Sequence, residues 1–159
     1  MFRKLTFLGT LTALTATGAV AQDKADHLAI IVNKASGLEN VTLVDLHKYL
    51  KVEKTKDPSG AKLVVTQREP GPERATLLRD VYKMTDGELS RYFLQATFTG
   101  TVAAAPKQIG PGAVAKKFVA DTAGAISCVR ASEADDSVKV LKVDGKAPGE
   151  AGYQLVIAK

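Results

Sequence analysis

The chain has 159 residues, room for one domain, with 45% apolar and 25% charged residues. That balance supports a buried core and excludes a disordered tract. The formal net charge of +5 is not gathered into a basic stripe interleaved with aromatics, which excludes a nucleic-acid surface. A single cysteine, Cys128, excludes an internal disulfide.

Arg3 and Lys4 precede an apolar run from Leu5 to Val20, and Ala19-Val20-Ala21 is a small-x-small cleavage pattern. This layout predicts a secretory signal peptide over residues 1–21 and a mature domain over 22–159. Removing Arg3 and Lys4 lowers the formal net charge from +5 to +3. No later stretch is long and apolar enough to span a bilayer, so no membrane span is expected after cleavage. The expected location is the periplasm or the medium.

Leu28 to Val32 is a continuous apolar run, as in a strand buried on both faces. Thr42 is placed to cap a helix whose Leu43, Leu46 and Leu50 share one face. Val52 to Lys62 is polar, with Asp57-Pro58-Ser59-Gly60 as a turn. His47 is expected on a solvated helix surface. Leu63 to Arg68 reads as the next buried strand. Pro70-Gly71-Pro72 then breaks the chain, and a helix restarts at Pro72 and runs to about Met84.

Thr85-x-x-Glu88 is a capping box, and Leu89, Tyr92, Phe93 and Ala96 follow at helical spacing. Thr101 to Gly112 reads as a loop, and its Gly110-Pro111-Gly112 as a plain turn. A short helix over Ala113–Asp121 is expected to turn Val114, Phe118 and Val119 inward. Ala125 to Val129 is a strand in which Cys128 is a buried apolar residue. Ala131 to Asp135 is a helical turn. Val138 to Val143 and Tyr153 to Ile157 alternate as strands. Strands alternating with helices predict an α/β sheet covered on both faces.

The stretch from Arg68 to Arg74 carries the candidate site. A strand-to-helix junction aims free helix N–H groups at one point, which favours an anion. Arg68 closes the strand, Gly71 lies in the turn and Arg74 opens the helix, so two cations are expected to flank that point. Glu69 and Glu73 beside these arginines are read as ion-pair partners rather than acid–base machinery. No phosphate-loop or dinucleotide motif is present, no nucleophile is paired with a base, and no His or Cys spacing suits a metal. No catalytic residue, metal or cofactor is expected.

Several segments together resemble the substrate-binding proteins of phosphate ABC transporters. They are Leu28-Ala29-Ile30-Ile31-Val32-Asn33, the helix Leu43–Leu50, Val64-Val65-Thr66-Gln67-Arg68, Phe98-Thr99-Gly100 and Thr122–Val129. The resemblance covers about Leu28 to Gly145. It implies a single lobe of a type 2 periplasmic-binding-protein-like fold, with a mixed sheet flanked by helices. It also implies an oxyanion ligand such as phosphate, and a membrane transporter or envelope protein as partner. Arg68 matches the Arg of the family's Arg-x-Asp-x-Ser-Gly-Thr loop. The rest of the loop here reads Glu69-Pro70-Gly71-Pro72-Glu73-Arg74, without the Ser-Gly-Thr donors. Two readings follow: an exported lobe that binds an oxyanion weakly at Arg68, Gly71 and Arg74, or a ligand-free module that binds an envelope protein or itself.

Overall fold

The computed structural model of the chain describes residues 27–157. The signal-peptide reading at 1–21, the domain's start at 22 and its last two residues lie outside the described residues.

Five strands form one mixed sheet in the order β4-β3-β5-β1-β6. They are β1 (Leu28–Val32), β3 (Val64–Arg68), β4 (Lys107–Ile109), β5 (Ala125–Arg130) and β6 (Lys139–Val140). β3 runs parallel to both β4 and β5, whereas β1 is antiparallel to β5 and β6. A small parallel pair, β2 (Asn40–Val41) with β7 (Lys142–Val143), sits apart. The helices are α1 (Leu43–Leu50), α2 (Pro72–Thr76), α3 (Asp86–Phe98) and α4 (Gly112–Asp121). α2 runs on into a π-helical turn over Leu77–Tyr82, so the single regular helix expected from Pro72 to Met84 changes its winding halfway.

The pleat of β1 explains its unbroken apolar run. Leu28, Ile30 and Val32 face a core shared with Leu46, Leu77, Val81 and Phe93 of the helices on that side. Ala29 and Ile31 face a second core under α4, with Ala115 and Val119. A strand covered on both faces has no position that can stay polar. Each fully buried Leu or Ile contributes about 1.5–3 kcal/mol relative to exposure.

The expected caps are present. Thr42 Oγ1 accepts from the Asp45 N–H at 3.1 Å. At α3, Glu88 N–H donates to Thr85 Oγ1 at 3.3 Å, and Thr85 N–H donates to Glu88 Oε2 at 2.7 Å. Thr85→Ala removes the first of these bonds and should cost about 1 kcal/mol. Urea titration should show a lower midpoint at unchanged slope.

Asp57 organises the polar loop before β3. Its carboxylate accepts from Ser59 N–H and Oγ, Ala61 N–H and Gly37 N–H. The Ser59 hydroxyl first, then the three amides, hold its pKa below the ordinary 3.8 against the opposing effect of burial. The folded state thus binds this proton more weakly than the unfolded chain. The contribution is complete above the unfolded pKa and fades as pH falls through 3.8 towards the lower folded value. Asp57→Asn should flatten the acid limb of a stability-versus-pH curve in that window.

Five expectations need correction. Val138–Val143 is two short strands in two sheets, because Val140 packs on the α4 core while Leu141 turns to the other core. Tyr153–Ile157 keeps its alternating burial but forms only one bridge, His27 to Val156, rather than a strand. The loop over 101–112 contains β4, whose polar edge sequence hid it. Val114 is 53% exposed, and Ala115 takes the inward position instead. His47 is half-buried with its Nε2 lacking a protein partner, and burial first, then Lys51, lowers its pKa from 6.5.

Candidate anion site

The parallel strands β4, β3 and β5 end side by side at Ile109, Arg68 and Arg130. Ligands in open α/β sheets bind beyond such carboxyl ends. β3 leads through Pro70 and Gly71 into α2, and β4 leads through Gly110 and Pro111 into α4. Neither Gly71 nor Pro111 offers a capping side chain. The first turn of the ten-residue α4 therefore keeps N–H groups that no side chain of its N-cap satisfies.

Arg68 is only 8% exposed. It stands opposite Ile109 in the register, and Ile109 belongs to the α4 core, so Arg68 is on the α4 face of the sheet. Its Nη1 donates to the carbonyl of Gly110, and its Nε is buried without a protein partner. Ser127, on β5, is likewise buried with an unpartnered Oγ.

Arg74 does not flank the same point. It is 6% exposed on the opposite face of β3, beside Gln67. Its Nε donates to Asp86 at 2.6 Å, and its Nη1 donates to Gln67 Oε1 at 3.1 Å and to the Arg68 carbonyl at 2.8 Å. Arg74 thus ties α2 to the end of β3 and to the start of α3. It also borders a cavity of about 440 Å³ with Gln67, Phe93 and Gln108, on the α3 side. Gly71 is exposed at the turn itself.

Other residues that the junction motif did not reveal gather around Arg68. Arg130 Nε donates to Glu73 Oε1 at 2.6 Å, the ion pair expected of Glu73 in kind though not in partner. Burial raises the Glu73 pKa, but its own backbone N–H, the Arg130 guanidinium and the charge of Arg68 together hold it below 4.5. Glu69 lies next to Gly110, and Glu133 lies against Gly112. Two arginines therefore face three carboxylates. Arg130 repeats the signature of Arg68, a cation closing an apolar strand, and that signal was available in the sequence. The position of Glu133 was not, because nothing local pairs it with Gly112.

A second cavity of about 380 Å³ lies at the amino end of β3, lined by Leu63, Val64, Val102, Ala105 and Phe118 among others. It is mainly apolar and away from the carboxyl ends of the strands. Cys128 is buried on β5, and burial pushes its thiol up to about 12 although Arg68 pulls it down. Among the described residues, no three His, Cys, Asp or Glu side chains are grouped to hold a metal ion. Among them too, no helix is long and apolar enough to cross a membrane.

No family model and no curated protein matches the chain. Solved structures do. A protein described as a phosphate ABC transporter substrate-binding protein with bound phosphate, from Clostridium perfringens, matches with a TM-score of 0.62 and 24% identity over 77% of this chain and 47% of its own. An ABC-type phosphate transport receptor from Vibrio cholerae matches with a TM-score of 0.60 and 20% identity over 82% of this chain and 53% of its own. PstS from Borrelia burgdorferi matches with a TM-score of 0.64 and 16% identity over 82% and 54%. The chain spans about half the length of the solved structures it matches. It shares the mixed α/β fold of these three structures, a sheet flanked by helices on both faces.

Proposed function

We propose that the chain is an exported, single-lobe solute-binding protein that takes a small oxyanion such as phosphate, weakly, at the carboxyl end of β3. The observation that carries this reading is Arg68, a nine-tenths buried guanidinium whose Nε has no protein partner, standing beside the uncapped start of α4. Gly71 is the exposed turn residue through which β3 passes into α2, on the rim of this point. Arg74 supports the site from behind by holding the Arg68 carbonyl. Weak binding follows from the lost Ser-Gly-Thr donors and from the carboxylates of Glu69, Glu73 and Glu133 around a single free donor edge.

Export rests on the Arg3-Lys4 start, the apolar run and the Ala19-Val20-Ala21 pattern. A membrane transporter as partner rests on the likeness in fold to phosphate-transport proteins. The role proposed is binding rather than catalysis, because among the described residues no activated nucleophile faces the site and the Cys128 thiol is buried. Isothermal titration of the chain with phosphate, sulfate and small carboxylates tests the reading. Saturable heat at millimolar phosphate supports it, and the absence of heat at those concentrations removes it.

A further inference from the structure

A carboxylate of the chain itself lies at the start of α4. Glu133 belongs to a 3-10 turn over Ala131–Glu133, directly after β5. Its carboxylate packs so closely against Gly112, the first residue of α4, that a Cβ on Gly112 would collide with it. Its Oε2 accepts from the Arg130 N–H at 3.1 Å. A carboxylate at the first turn of a ten-residue helix is where the helix dipole favours negative charge. Two residues before Gly112, the Gly110 carbonyl holds Arg68 by Nη1. The unpartnered Nε of Arg68, nine-tenths buried, is the second sign that this end of the sheet is built around an anion.

We infer that Glu133 is an intramolecular stand-in for the anionic ligand, and that an oxyanion reaches Arg68 and the start of α4 only by displacing the Glu133 carboxylate. The inference rests on the reading of Arg68 as anion anchor given above.

The surrounding bonds suit a side chain that can leave while its turn stays. Lys116 on α4 donates to the Glu133 carbonyl at 3.1 Å and to Asp135 Oδ2 at 2.5 Å. Asp135 in turn accepts from Ser137 N–H and Oγ. The backbone of the turn is thereby fastened to α4 independently of the Glu133 carboxylate. Release costs one hydrogen bond to Arg130 and a rotamer change. Glu73 is held differently, by an ion pair to Arg130, so it screens the site without sitting at the α4 end. A tethered carboxylate competes at an effective concentration in the millimolar range, enough to weaken the apparent affinity of a ligand without abolishing binding. Gly112 is explained as well, since only glycine leaves space for either carboxylate or ligand.

The test is titration of inorganic phosphate into the full chain, Glu133→Gln and Glu133→Ala, each with and without Arg68→Ala. Chloride at matched ionic strength is the control, and circular dichroism checks that each variant is folded. The Gln substitution keeps the size of the side chain, so it remains informative if the Ala variant folds poorly. Both single variants should bind phosphate about tenfold more tightly than the unaltered chain, the effect of one charge at a helix terminus. That gain should vanish when Arg68→Ala is added. Phosphate binding that depends on Arg68 but is equal or weaker in both Glu133 variants overturns the stand-in and leaves the anchor reading intact. Binding in no variant, or binding that survives Arg68→Ala, overturns the anchor reading and the stand-in with it.

Discussion

Arg68→Ala should remove the phosphate-dependent rise in melting temperature that is expected of the unaltered chain. A ligand that binds only the folded state stabilises it by mass action, so phosphate at ten times its Kd should add ~1.4 kcal/mol. For a domain of this size that is a rise of roughly 3–6 °C. Among the described residues, Arg68 supplies the buried guanidinium at the strand ends whose Nε has no protein partner, and its Nη1 already fixes the group to Gly110. Truncation to Ala deletes the charge and the fork together, and no other described cation replaces it there: Arg130 is committed to Glu73, and Arg74 lies across the sheet with Asp86 and Gln67. The variant also loses the Gly110 bond, so its ligand-free melting temperature should fall. The decisive quantity is therefore the difference with and without phosphate in each protein, at matched ionic strength. An equal rise in both would place the anion elsewhere.

Gly124→Ala should be the most damaging single substitution for stability, at ~3 kcal/mol or more. Gly124 has φ +76°, a conformation that costs an L-residue, and a Cβ there would overlap the Lys62 carbonyl oxygen. That carbonyl cannot step aside freely. The next residues are pinned, Leu63 by its N–H to the Thr55 carbonyl and Val64 by its N–H to the Gly124 carbonyl, at 2.8 and 2.9 Å. Strain and overlap therefore fall on the point where β5 begins to pair with β3, next to Ile126 and both cores. Domains have only about 5–15 kcal/mol in total, so a loss of this size is a large share. Urea unfolding should show a sharply lower midpoint at unchanged slope. A midpoint within error of the unaltered chain would mean that the turn relaxes without cost.

Much of the fold was legible because it is written in short-range chemistry. The double burial of β1 appears as five consecutive apolar residues, and the capping box at Thr85 and Glu88 forms within one turn. Pro70 to Pro72 stops one element and starts the next by fixing φ and removing donors. The likeness to phosphate-transport proteins in fold had the same source, an ordered series of such local segments. β4 was not legible, because Lys107-Gln108-Ile109 carries no strand signal and becomes a strand only by pairing with β3. The alternation of Val138–Val143 was legible and yet misleading, since the chain changes core between Val140 and Leu141.

The candidate site divides the same way. By itself the sequence determined that a buried strand ends at Arg68, that the chain turns through Gly71, and that a helix carrying Arg74 follows, because each of these is a local preference of one to four residues. Only the tertiary structure decided that Arg68 lies under α4 while Arg74 lies on the other face with Asp86. Only it brought Arg130 to Glu73, and the Glu133 carboxylate to Gly112, across 57 and 21 positions. The physical reason is that a pleat assigns faces by strict alternation, but which helix covers a face, and which distant charge arrives there, depends on the packing of the whole sheet.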